Sequence, residues 1–163
     1  MKHGSAFRFP VRLSLHSSFR FLFSPALFQL FSFPRFRFSF EMSRTSDELR
    51  NRTKQYASLI VQFYVLLPKR QPEAQVIGHQ LLKSGTSVAA NFREASRACT
   101  TPEFISKLET CIQEADESDL WLELLRDDCG VGGDRVENLL IETNELISIF
   151  VTMVKRSKDS DRP

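Results

Sequence analysis

The chain has 163 residues, which suits one domain of ordinary size, and its hydrophobic and charged fractions are those of a soluble globular protein. The net charge of +2 is unevenly distributed, because residues 1–41 hold six basic residues and one acidic residue. This leaves a charge of −3 on the remainder, which argues against a strong nucleic-acid binder.

The three cysteines do not form a metal-binding or disulfide pattern. Cys99, Cys111 and Cys129 are odd in number and contain no CxxC pair. A zinc site needs four ligands, and His79 is the only histidine after residue 41. We therefore expect three small apolar side chains in a reducing cytoplasm, with no metal and no cofactor.

Residues 1–41 differ in composition from everything that follows. They contain eleven of the 15 phenylalanines and no acidic residue before Glu41. Four interpretations remain open: a secretory signal, an organellar transit peptide, a membrane-surface segment, or upstream sequence translated before a true start at Met42. We favour the last, because the composition changes abruptly at Met42, and we expect the extension to be disordered or non-native.

A first helix is predicted over residues 46–67. Thr45 and Glu48 have the spacing of a capping box, and Pro68 ends the helical pattern. The helix carries an apolar seam with alternating steps of four and three, formed by Leu49, Thr53, Tyr56, Ile60, Phe63 and Leu67.

A second helix is predicted over residues 72–98, with Pro72 at the first helical position. Half of its seam is small or polar, which allows a neighbouring helix to approach closely. We expect a large side chain such as Trp121 or Tyr56 to fill the space. The seam consists of Ile77, Leu81, Ser84, Val88, Asn91 and Ala95.

A third helix is predicted over residues 102–128, begun by a capping box of Thr100 and Glu103. Its apolar face comprises Phe104, Leu108, Ile112, Ala115, Leu122 and Leu125. The glycines of residues 130–133 then predict a turn. They resemble a phosphate-binding loop only superficially, because no Lys-Ser/Thr pair follows and no strand precedes.

A fourth helix is predicted over residues 135–156, with Asp134 as its cap and Glu137 three residues later. Its seam consists of Val136, Leu140, Thr143, Ile147, Phe150 and Val154. Short connections place consecutive helices side by side and antiparallel. The sequence thus predicts an all-α, antiparallel up-and-down four-helix bundle over residues 42–158, with a frayed tail at residues 159–163.

The polar residues of the second helix are part of a recognisable pattern. Residues 80–95 resemble the signature of the bacterial four-helix bundle proteins first noticed in intervening sequences of 23S ribosomal RNA genes. The similarity extends to residues 49–54, 103–108, 114–115 and 121–125, and spans about residues 47–155. Lys83 stands where the family usually has arginine. The signature and core polar residues are Gln80, Ser84, Gly85, Ser87, Asn91 and Glu94.

This resemblance implies a small cytoplasmic bundle that assembles as a homopentamer. A related branch comprises the accessory proteins of diversity-generating retroelements, pentameric barrels that bind a reverse transcriptase and nucleic acid. The family at large has no established enzymatic activity. Asn91 and Glu94 are expected near the bundle interior, where they need hydrogen-bond partners.

No catalytic centre is predicted. A di-iron bundle site requires Glu-x-x-His motifs, and none occurs in the sequence. A nucleophile such as Cys111 would need His79 beside it, which is conceivable only on facing helices. We therefore expect the acidic residues to form structural ion pairs.

Two groups of surface residues are candidates for partner binding. Antiparallel helices bring the start of the first helix near the end of the fourth, which places basic residues together in a possible nucleic-acid or partner patch. These are Arg44, Arg50, Arg52, Lys54, Lys155 and Arg156. The possible subunit contacts in a ring are Tyr64, Phe92 and Trp121.

The sequence favours a non-enzymatic oligomeric interaction module that associates with RNA or an RNA-processing partner. The alternative is a purely structural protein–protein scaffold without a nucleic-acid role, and a metal-dependent enzyme comes last. No membrane association is expected for the bundle of residues 42–158.

Overall fold

The computed structural model describes the backbone of residues 34–160 and the side chains of residues 46–160. Four α-helices account for nearly all of this segment: α1 (Pro34–Leu66), α2 (Pro72–Ala95), α3 (Thr101–Asp127) and α4 (Asp134–Ser160). Residues 34–160 contain no strand. The predicted all-α class is confirmed. None of these helices is both long enough and apolar enough to cross a bilayer.

The helices pack in chain order around one core. α2 lies between α1 and α3, α3 lies between α2 and α4, and α4 returns to α1. The three short connections force neighbours to run antiparallel, which gives the predicted up-and-down bundle. The α1–α4 seam has the fewest close backbone approaches of the four seams.

The start of α1 corrects the sequence prediction. The helix begins at Pro34, twelve residues before the predicted start, and Thr45 lies inside it. A capping pattern is a local signal, and the backbone continues its helical hydrogen bonds through it. The predictions for residues 1–33 and 161–163 lie outside the described residues. The boundary at residue 42 stays a prediction.

The start of α3 confirms its predicted cap. The Thr100 hydroxyl accepts from the Glu103 N–H at 3.3 Å. The Glu103 carboxylate in turn accepts from the Cys99 N–H at 3.0 Å, one residue before the expected partner. The first bond satisfies a donor that the first turn would otherwise leave unpaired, and the second satisfies the N–H of the residue before the cap.

The α3–α4 connection depends on glycine. Gly130 and Gly133 have φ values of 65° and 110°, in the region that favours glycine. The Gly133 carbonyl accepts from the Val136 N–H at 3.0 Å, which begins α4. The predicted helix-to-helix turn is therefore present.

Every predicted seam lies on the inner face of its helix. All six residues of the first predicted seam are buried, including Tyr56 and Ile60 at 1% and 0% exposure, although the last of them, Leu67, directly follows α1. In α2, Ile77 and Asn91 are only half-buried. Several buried side chains lie outside the predicted seams, namely Ala74, Phe92, Cys111, Ser118, Leu139 and Leu146.

Candidate interaction surfaces

A layer of four hydroxyl groups crosses the centre of the bundle, with one residue from each helix. The Tyr56 hydroxyl on α1 and the Thr143 hydroxyl on α4 lie 2.8 Å apart. The Ser84 and Ser118 hydroxyls, on α2 and α3, also lie 2.8 Å apart. Each residue is at most 1% exposed. We call these four residues the hydroxyl layer.

Every member of the hydroxyl layer has a partner. Thr143 and Ser118 donate to carbonyl oxygens of their own helices at 2.7 Å, so each accepts from its cross-helix partner. Burial raises the pKa of Tyr56 above its ordinary 10.0, although hydrogen bonds with Thr143 and Ser118 act in the opposite direction. Each hydroxyl of the layer is therefore hydrogen-bonded inside the bundle, as a structural network requires.

The signature residues of α2 separate into inner and outer positions. Ser84 and Gly85 are buried, as the pattern predicted. Gln80 and Glu94 are exposed and so lie outside the core. Glu94 instead pairs with Lys107 of α3 at 2.5 Å.

The two remaining signature residues lie between these extremes. Ser87 and Asn91 are half-buried. The Asn91 side-chain amide donates to the Ser87 carbonyl at 2.9 Å, so its partner is on its own helix. Neither residue supplies an interior group that reaches another helix.

The close approach predicted at α2 does occur, but with a different side chain. A Cβ built on Gly85 would lie 2.9 Å from Cγ1 of Ile60, so the α1 isoleucine fills the space. Trp121 is half-buried elsewhere on α3, and Tyr56 belongs to the hydroxyl layer. Only a glycine at position 85 lets the Ile60 side chain lie this close to the α2 backbone without a shift.

Arg52 bridges α1 and α4. Its Nε and Nη2 donate to the two carboxylate oxygens of Glu142 at 2.7 and 2.8 Å. Nη2 also donates to Glu145. The Glu142 hydrogen bond contributes most to raising the pKa of Arg52 further above its usual range. Arg52 is thus committed to two carboxylates and is a poor candidate for contacting a phosphate.

The other proposed cations are distributed along the bundle. Arg50 pairs with Asp47 at 2.8 Å. Lys54, Lys155 and Arg156 are exposed and form no ion pair with any described side chain. The side chain of Arg44 lies outside the described residues. The predicted patch is therefore reduced to three available cations.

The three predicted subunit contacts differ in their accessibility. Phe92 is 1% exposed, and its ring stacks on Phe150 with centroids 5.7 Å apart. It is a core residue with no surface to offer another chain, because helix α2 turns it towards α4. Tyr64 and Trp121 are half-buried and keep part of their rings at the surface.

Large apolar side chains are exposed on all four helices. Their exposed fractions run from 42% at Val61 to 67% at Val65. They were not among the predicted subunit contacts, although each is an apolar residue that lies outside the predicted seam of its helix. They are Leu59, Val61, Val65, Leu66, Val76, Leu120, Ile141 and Val151.

An open groove of about 700 Å³ runs between α3 and α4, and we call it the α3/α4 groove. Its lining combines four carboxylates with one guanidinium and three aliphatic side chains. The Asn144 amide donates to the Asp119 carboxylate across it at 3.0 Å. The lining comprises Asp119, Glu123, Arg126, Glu137, Leu140, Ile141, Asn144, Glu145, Ser148 and Ile149.

The candidate catalytic pair is not assembled. His79 is exposed, whereas Cys111 is buried, with its sulfur 3.7 Å from the Val88 carbonyl. Position 88 lies nine residues along α2 from His79, roughly 13 Å at the helical rise. Within the described side chains, no three His, Cys, Asp or Glu residues converge to hold a metal ion.

Comparison with known proteins identifies the family. Residues 47–152 match the family model of the 23S rRNA-intervening sequence protein. A crystal structure of a protein with unknown function from the S23 ribosomal protein family of Bacteroides thetaiotaomicron has 32% identity and a TM-score of 0.62. The similarity covers 68% of this chain and 97% of that one. No curated protein matches. The chain therefore belongs to the 23S rRNA-intervening sequence protein family.

Proposed function

We propose that this chain is a non-enzymatic, oligomeric helical-bundle interaction module that works without a cofactor in the cytoplasm. The assembly is a homopentamer, and it associates with RNA or with an RNA-processing partner. The pentamer and the RNA association are inferred from family resemblance, and the surface of the bundle supplies the physical support for assembly.

The observation that carries this proposal is the exposure of apolar side chains around a filled core. Single exposed aliphatic residues are ordinary, but here they occur on every helix. Val65 on α1 is 67% exposed, and Val76 on α2 is 64% exposed. Burying such surface between copies is favourable by roughly 25 cal/mol per Å².

The RNA part of the proposal rests on cations near the end of α4. Lys155 and Arg156 are exposed and form no ion pair with any described side chain, so they are available for phosphate contacts. They are too few for tight binding by one copy, and the charge of −3 on residues 42–163 opposes it. A ring repeats the same cations around its axis, so weak contacts can add through avidity.

Light scattering coupled to size-exclusion chromatography tests the assembly. We expect the full chain to elute with five times its mass of 18.8 kDa. A stable trimer or tetramer would contradict the pentamer but would still support an oligomeric interaction module. A monomer at all accessible concentrations would contradict the proposal.

Titration of labelled structured RNA at several salt concentrations tests the nucleic-acid role. We expect affinity to fall with salt, and the slope to become shallower when Lys155 and Arg156 are both changed to glutamate. A variant with Arg93→Glu is the matched control, because Arg93 is an exposed cation on α2.

The second candidate function is a protein–protein scaffold without RNA. The negative charge of residues 42–163 favours it. It predicts full assembly together with no RNA binding even at low salt.

A further inference from the structure

The outer side of α1 carries a line of basic and then apolar residues. Arg50, Lys54, Val61 and Val65 follow at steps of four, seven and four residues, which place them on one side of a helix. We call these four residues the α1 stripe. Val61 and Val65 are 42% and 67% exposed. The stripe therefore presents the unpaired Lys54, beside Arg50 in its pair with Asp47, at one end and aliphatic surface at the other.

The α1 stripe points away from α4. Arg52 reaches α4 through its ion pairs, and Lys54 lies two residues later, about 200° further round the helix. Tyr64 lies over Gly78 of α2, which marks the side of α1 that faces α2. The stripe accordingly lies at the α1/α2 edge, across the bundle from the α3/α4 groove.

The α3/α4 groove has the complementary chemistry. Its four carboxylates outnumber its single guanidinium even though Arg52 of α1 already pairs with Glu145, and Ile141 is 59% exposed. Glu123 forms no ion pair with any described side chain. Burial, and then Glu123 and Asp116, raise the pKa of Asp119, which shows that like charges crowd this side of α3. A cationic partner would relieve that repulsion.

We propose that the α1 stripe of one copy docks into the α3/α4 groove of a second copy. The open groove takes the outer side of α1 as a fifth helix, with lysine beside the carboxylates and valines on the aliphatic residues. The two surfaces are different, so the contact is heterologous, and it closes as the ring of the proposed function when successive copies are rotated by about one fifth of a turn. This assignment rests on the oligomer of the proposed function.

Charge reversal and rescue test the polar half of the contact. Lys54→Glu and Glu123→Lys are each expected to raise the subunit dissociation constant at least about tenfold. The double variant Lys54→Glu/Glu123→Lys restores the opposite charges at every interface of the ring and is expected to recover wild-type assembly. Arg93→Glu is the charge-matched control and should leave assembly unchanged.

A pair of neighbouring residues tests the apolar half. Val65→Asp places a charge in the buried contact and is expected to release monomers, with at least a tenfold weaker association. Leu66→Asp is the matched control, because Leu66 is 59% exposed but lies about 100° away on the helix. Light scattering over a dilution series gives the subunit number, and circular dichroism verifies that each variant is folded.

The outcomes separate this inference from the proposed function. Loss of assembly in the stripe and groove variants, with rescue by the double variant, supports the contact. An oligomeric wild type that the stripe variants leave intact overturns the contact and retains the module. A monomeric wild type overturns both, and would leave the groove to a basic helix of another protein.

Discussion

At the scale of single residues, small side chains in α2 determine how closely the helices approach. Gly85 allows Ile60 to lie against the α2 backbone, and Ser84 reaches Ser118 across the α2–α3 contact. Both positions depend on the absence of bulk. Their contribution therefore shows most clearly when one methyl group is added.

Gly85→Ala is expected to lower the free energy of unfolding by about 1–2 kcal/mol. The new Cβ would meet the Ile60 side chain at 2.9–3.3 Å, and this overpacking exceeds the roughly 1 kcal/mol that alanine gains in helix propensity. Denaturant titration measures the change. Gly132→Ala, where a Cβ has nothing within 4 Å, should stay within about 0.5 kcal/mol.

A double-mutant cycle identifies the cause. Ile60→Ala removes the clash as well as core packing, so the cost of Gly85→Ala should fall when Ile60 is already alanine. Equal costs in both backgrounds would show that Ile60 does not limit the space at Gly85.

Glu114→Gln is expected to stabilise the protein slightly at neutral pH, by less than about 0.5 kcal/mol after solvent screening. Burial, and then Glu117, raise the pKa of Glu114 above its ordinary 4.5, so the folded protein disfavours the ionised form. That penalty is present above the raised pKa and disappears as the pH falls below 4.5. Thermal unfolding across this range measures it. A gain that persists unchanged near pH 3 would exclude charge as its cause.

At the scale of helices, the seams differ in what holds them. The α2–α3 and α3–α4 contacts are close along most of their length, whereas α1 and α4 approach less closely. Arg52 and the Tyr56–Thr143 hydrogen bond span this looser seam. Polar groups therefore stabilise a contact that apolar packing fills less completely.

Arg52→Ala is expected to lower the free energy of unfolding by about 1 kcal/mol, because it leaves Glu142 and Glu145 near each other without a cation. The effect should shrink in high salt, which screens the remaining repulsion. Lys158→Ala removes an exposed pair between α4 and α3 and should cost under about 0.5 kcal/mol. Equal losses for both variants would contradict the special role of Arg52.

At the scale of the whole molecule, one core includes all four helices, so the bundle should open as a unit. Cys111 reports this opening, because it is 0% exposed and burial raises its pKa to about 12. In a variant with Cys99 and Cys129 changed to serine, we expect Cys111 to be labelled at least about 10³-fold more slowly than the exposed Cys99 is labelled in a second variant that has Cys111→Ala and Cys129→Ser. Labelling rates within tenfold of each other would indicate that α3 opens locally.

The sequence predicted the bundle well, because helical seams repeat at regular steps. Leu49 to Leu67 illustrates this, since every seam residue there is buried. Ser118 could have been found in the same way, because it lies three residues after Ala115 and four before Leu122. Phe92 and the start at Pro34 could not, because neighbouring helices decide which flank of α2 is buried and local capping signals do not stop a favourable helix.

Surface partners were harder to predict than the core for a physical reason. Arg52 and Lys54 are both cations on α1, and only the position of Glu142 shows that the first is already engaged. The sequence likewise predicts Glu94 near the bundle interior, whereas in the structure its carboxylate pairs with Lys107 of α3. The charge pattern of a sequence gives the sign of a surface, and tertiary neighbours decide which charges remain available.

The hydroxyl layer has a consequence for how the helices can slide. Purely aliphatic seams tolerate displacement by one turn, because one leucine replaces another at little cost. Here a one-turn slip of α1 against α4 would break the Tyr56–Thr143 hydrogen bond and leave the Tyr56 hydroxyl among hydrocarbon, at about 1–3 kcal/mol for the unpaired group. A slip of α2 against α3 would break the Ser84–Ser118 hydrogen bond. The four hydroxyls thus select one axial register of the helices from several that would bury a similar amount of apolar surface.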